Sequence, residues 1–128
     1  MSNLADFEIV GTRAFYRPTG KVTFEKAVDM VAAAMRRARE MQARTLLVNT
    51  LGFAGIAPPT IFARHMLAVK WAENAGSVLH VALVARPELI DPEKIGVLMA
   101  QNRGVSGDVF TNEAAAISWL DARQPSEG

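Results

Sequence analysis

The 128-residue chain contains no cysteine. That excludes disulfide cross-links, a thiolate nucleophile and any zinc site built on sulfur. Long apolar runs are missing as well: none approaches the roughly 18 residues that a membrane-spanning helix requires. Residues 1–7 also lack the basic-then-apolar order of a secretory leader. The expected address is therefore the cytoplasm, with no membrane span. Charge of one sign is scarce too. A formal net charge of +1 gives no large field to attract nucleic acid or an acidic surface. In the local cluster Arg36, Arg37, Arg39 and Arg44, Arg36 shares an expected helix with Asp29 and Glu40, and the cluster reads as a solvated outer face.

Catalytic spacing is the last absence. None of Ser2, Ser77, Ser106, Ser118 and Ser126 lies in a Gly-x-Ser-x-Gly turn. Neither His65 nor His80 has a carboxylate spaced to orient it, and neither has a second ligand spaced for metal. No catalytic residue, metal or cofactor is expected. What the chain does have is apolar substance: 50 % of its residues are hydrophobic and 21 % charged, the balance of a compact chain rather than a disordered one. Residues 1–128 fit one domain, long enough to bury roughly two-thirds of the unfolded surface around a single core.

The apolar residues follow a rhythm. Two β-type runs, Phe7 to Val10 and Arg13 to Tyr16, joined across Gly11 and Thr12, predict an antiparallel hairpin. Thr23 then caps a helix with Phe24, Val28, Val31, Ala32 and Met35 at helical spacing, running to about Gln42. A strand from Thr45 to Asn49 leads into a loop from Thr50 to Ala57. Pro58 and Pro59 suit the first turn of a second helix that Gly76 ends. The strand Val78 to Ala85 precedes a third helix capped by Asp91, begun at Pro92 and closed by Gly104. Val109 and Phe110 form a last strand. Thr111 caps a final helix presenting Ala116, Ile117 and Leu120, and the tail from residue 123 or 124 to 128 is expected to fray.

The order β-β-α-β-α-β-α-β-α predicts a three-layer α/β domain. It has about five mostly parallel strands, about four helices, and helices on both faces. With its opening hairpin and the closing stretch Asp108-Val109-Phe110-Thr111-Asn112-Glu113 leading to Ala116 and Trp119-Leu120, the chain resembles the STAS-like proteins. More narrowly it resembles the SpoIIAA-like bacterial domains, relatives of the anti-sigma factor antagonists. The resemblance implies a non-enzymatic module that binds a partner or a ligand. Where the antagonists carry an aspartate and a phosphorylatable serine, this chain reads Ala57-Pro58-Pro59-Thr60-Ile61, which leaves Thr60 as the hydroxyl open to modification.

Two candidate sites follow. Ligands of open α/β sheets bind beyond the carboxyl ends of the strands, which here should gather Asn49, Thr50, Gly52, Phe53 and Gly55 with Arg86 to hold an acidic or lipid-like molecule. On the second helix, rotation by the helical angle sets His65 among Ile61, Phe62, Ala68, Val69 and Ala72, the face expected to pack on the sheet. Leu67 and Trp71 then fall on the opposite face beside Arg64, an aromatic anchor with a polar rim of Lys70 and Asn74. That face is the expected contact for a protein partner or a second copy in a homo-oligomer such as a dimer.

Overall fold

The computed structural model describes residues 5–76 and 78–123; the expected frayed tail, residues 124–128, lies outside them. Seven strands and four helices follow the order β1 (Phe7–Val10), β2 (Arg13–Tyr16), β3 (Gly20–Lys21), α1 (Phe24–Glu40), β4 (Thr45–Asn49), β5 (Phe53–Ala54), α2 (Ile61–Ala75), β6 (His80–Val84), α3 (Ile95–Asn102), β7 (Ser106–Phe110) and α4 (Glu113–Asp121). Five strands form the main sheet in the order β1-β2-β4-β6-β7. Only β1 runs antiparallel to its neighbour; β2, β4, β6 and β7 are mutually parallel. The fold is thus α/β with a mostly parallel sheet between helices.

Each crossover from β2 to β7 steps one strand in the same direction. Connections of one hand then place α1, α2 and α3 on the same face, where α2 packs against both of its neighbours. Among the described residues only α4, which follows β7, covers the other face, against β4, β6 and β7. The strand order never reverses between the parallel strands, so the sheet has no switch point of the kind that opens a ligand crevice.

The cores differ accordingly. Alternate residues Ala14, Tyr16, Leu46, Val48, Val81 and Leu83 face the three-helix layer, while Phe15, Leu47, Ala82, Val84 and Phe110 meet Ala116 and Leu120 of α4. Helix α1 approaches closely through small residues, with Ala34, Met35 and Ala38 wholly buried.

The element ends show what local chemistry decides. Thr23 accepts from the Lys26 amide as expected, but α1 stops at Glu40 because Gln42 turns left-handed, with φ of 61°. Pro58 and Pro59 precede α2 rather than opening it: Thr60 is the cap, accepting from the Ala63 amide at 3.1 Å. Asp91 accepts from the amides of Glu93 and Ile95. Lys94, left-handed at φ 52°, postpones α3 past Pro92 to Ile95. Asn112, not Thr111, caps α4. Within the expected loop after β4, Phe53 and Ala54 pair in parallel with Gly20 and Lys21 as a two-stranded ribbon. Arg123 is placed, its guanidinium 3.8 Å from the centroid of the Trp119 ring. No helix among the described residues is long and apolar enough to cross a membrane.

Candidate functional site: an apolar cavity under three helices

Between the sheet and the α1, α2, α3 layer lies a cavity of about 140 Å³. Its floor is Val81 and Leu83 of β6 with Gly107 and Val109 of β7. Its walls are Val28 and Val31 of α1, Leu67 and Trp71 of α2, and Val97 and Ala100 of α3. It extends beneath Ile56 and Pro59, which precede α2, and beneath Leu89 and Ile90, which precede α3. The space persists because several lining positions on the α3 side carry little or no side chain: Ala85, Gly96, Ala100 and Gly107. At Gly107 even a methyl group would come within 3.1 Å of the Val81 carbonyl oxygen.

The structure turns α2 over relative to the sequence expectation. Arg64, Leu67 and Trp71, assigned to an outer contact face, line the cavity, and the Trp71 indole N–H points to the Val28 carbonyl at 3.5 Å. Ile61 and Phe62, assigned to the sheet side, are 64 % and 72 % exposed. Ala68, Trp71 and Ala75 of α2 pack into the core, and the flank toward α1 is polar. Lys70 pairs with Asp29, and the Asn74 side chain accepts from Arg36 at 2.8 Å while its carbonyl accepts from Arg39 at 2.9 Å. Lys70 and Asn74 thus face α1, while Leu67 and Trp71 turn toward the sheet. His65 lies half-buried, and only Ala68 of its expected apolar companions is wholly buried.

The expected crevice is likewise corrected. Asn49 projects to the α4 face, donating to Glu113 at 2.7 Å while its own carbonyl accepts from the Leu51 amide. Gly52 serves close packing: a methyl group there would sit 2.7 Å from the Pro18 carbonyl oxygen. Gly55 makes a turn at φ 81° against Lys21. Arg86 is exposed and donates to the Leu51 carbonyl at 3.3 Å. The β3–β5 ribbon therefore braces this loop against Pro18 and Thr19, and only Thr50 and Phe53 of the expected set reach the cavity. Thr60 stays exposed, its hydroxyl engaged in capping α2.

Five polar or charged side chains, Thr50, Arg64, Asp91, Lys94 and Asp108, interrupt the apolar lining. Thr50 bonds to the Val84 carbonyl at 2.7 Å, and Lys94 pairs with Asp108 at 2.9 Å. Asp91 is engaged at the start of α3. Arg64 reaches the Leu89 carbonyl at 3.4 Å and, among the described residues, pairs with no carboxylate.

On the α4 face the polar groups close on one another instead. Arg17 grips Glu113 with two hydrogen bonds and also meets Glu8; the Arg17 bonds, and then that from Asn49, hold the Glu113 carboxyl below its usual range. His80 Nδ1 lies 2.6 Å from the Ser106 hydroxyl. Burial, and then the positive charge of Arg123, lower its proton affinity. No group of three or more His, Asp or Glu among the described residues is placed to hold a metal ion.

Sequence reasoning missed most cavity-lining residues because a void is a property of facing elements. Small residues such as Gly96, Ala100 and Gly107 signal one only once β7 and α3 are known to share it.

No family model and no curated protein sequence matches the chain. Among solved structures it is similar to the NMR structure of the protein TM1081, at a TM-score of 0.51 and 11 % identity, over 94 % of this chain and 91 % of that one. The likeness concerns the fold alone.

Proposed function

We propose that this chain is a non-enzymatic, STAS-like binding module that holds a small apolar molecule between its sheet and its three-helix layer. The STAS-like assignment rests on the opening hairpin and on the closing stretch from Asp108 to Glu113. The binding assignment rests on the cavity. A void of about 140 Å³ is comparable to the engineered apolar cavity of about 150 Å³ that stays dry and admits benzene. Left empty, its lining forgoes dispersion contacts that a filled core would make. Occupation by a ligand recovers those contacts.

The test is a methyl NMR titration with benzene. Shifts are expected at Val31, Leu83, Val97 and Ala100, with Leu47, Ala116 and Leu120 still; Ala100→Leu should remove the response. Silence at the cavity methyls up to the solubility limit would end the proposal.

One observation favours a second reading, association with another copy. Ile61, Phe62 and Met66 of α2 and Leu98 of α3 are all exposed, an apolar grouping of the kind that marks contact surfaces. Light scattering on the wild type and on a Phe62→Asp, Met66→Asp variant decides it. A wild type that is monomeric at high micromolar concentration rules it out.

A further inference from the structure

The geometry points to a small apolar carboxylate as the ligand, with its acid group held by Arg64; this rests on the cavity reading above. The argument is one of charge accounting at the lining. Lys94 is neutralised by Asp108, whose Oδ1 accepts both from its ammonium and from the Val109 amide. Asp91 is committed through Oδ2 to the amides of Glu93 and Ile95, at the positive end of α3. Thr50 is turned to the Val84 carbonyl. Of the two lining cations Arg64 alone lacks a carboxylate partner among the described residues: of its five N–H donors one has an acceptor there, the Leu89 carbonyl at 3.4 Å, long for a hydrogen bond.

Its position suits the role. Arg64 sits one turn before Leu67 and two before Trp71, so the same face of α2 carries the guanidinium at one end of the lining and apolar side chains beyond it. Arg64 is half-buried, and Pro59 and Leu89 line the cavity with it. A ligand with its apolar body against Leu83 and Val97 can therefore present an acid to a planar donor fork, which suits a carboxylate bidentately. The size of the void limits the body to about one aromatic ring or a short alkyl chain. The Asp91 carboxylate disfavours doubly charged anions at the same place.

The experiment compares phenylacetate with its neutral counterpart 2-phenylethanol by methyl NMR titration and calorimetry, on the wild type, Arg64→Gln and Arg64→Lys. The wild type should prefer the acid by about tenfold or more, as expected for a charge-assisted pair. Arg64→Gln should lose that preference, weakening the acid by more than the alcohol, and Arg64→Lys should retain part of it. If the wild type binds acid and alcohol equally at the cavity methyls, or if Arg64→Gln weakens both alike, the Arg64 assignment is overturned and the cavity reading stands. If neither compound moves the cavity methyls, both fall together.

Discussion

The two faces of the sheet are covered in opposite ways. On one, a single nine-residue helix, α4, seats Ala116 and Leu120 on Leu47, Ala82 and Val84, all wholly buried. The polar ends of that face are sealed by Arg13 with Asp121, Arg17 with Glu113, and His80 with Ser106. On the other, three helices leave a void whose lining includes one guanidinium, that of Arg64, with no carboxylate partner among the described residues. More helices did not produce tighter packing. Ridges of side chains on α1, α2 and α3 must match one another as well as the sheet, and the small residues of α3 and β7 leave that match incomplete. The α4 face is closed by packing, and the three-helix face keeps an unfilled space.

The sharpest way to test that contrast is to remove a leucine from each face. Leu47→Ala deletes a wholly buried side chain in the α4 cluster and should cost about 2–5 kcal/mol in urea unfolding. Leu67→Ala removes a half-buried side chain that already borders empty space. It should cost about 1 kcal/mol, because fewer contacts are there to lose. Equal losses would mean that the two faces are packed alike.

Adding volume should reverse the sign between faces. Ala100→Leu grows into the cavity and should raise stability by about 0.5–2 kcal/mol, moving the urea midpoint without altering the slope. Ala116→Leu forces the same extra carbons into a filled site, at a cost of about 1–3 kcal/mol. Destabilisation by Ala100→Leu of the same size would show that the void closes in solution.

The same contrast explains what could be read from the chain. The hairpin, α1 and β4 were legible because their signals are local: alternating apolar residues, a threonine cap and a stretch of alanines at helical spacing. The main sheet followed from the element order. The face of α2 was not legible, because apolar residues surround that helix and its rotation is set by packing against α1 and α3, which its own sequence does not contain. The ribbon β3–β5 escaped notice because two residues per strand carry no period. Of the candidate ligand site, Thr50 and Phe53 were reached by arguing from strand ends; Arg64, Leu67 and Trp71 were singled out but for the wrong side of the molecule. The crevice argument failed at Asn49 and Arg86 because helices stacked on one face leave no point where the strand order reverses.

The smallest expected effect separates the faces by acid. His80 and Glu113 both serve the α4 side, and both make stability fall with pH. The folded chain binds a proton at His80 less readily than the unfolded chain, whose value is the ordinary 6.5. Stability therefore declines as pH drops below that value, and levels off once the folded histidine is protonated too. Glu113, with its folded value depressed mainly by the Arg17 hydrogen bonds, stabilises the fold above the ordinary 4.5. That contribution is lost as pH falls through the lower folded value. Denaturation midpoints across this range should show two shallow steps, the upper flattened in His80→Gln and the lower in Glu113→Gln. Neither substitution should change the affinity of benzene for the cavity at neutral pH, since His80 and Glu113 face α4 and the cavity lies on the other side of the sheet. A change in that affinity with His80→Gln would mean that the two faces communicate through β6, where His80 and Leu83 share one strand on opposite sides.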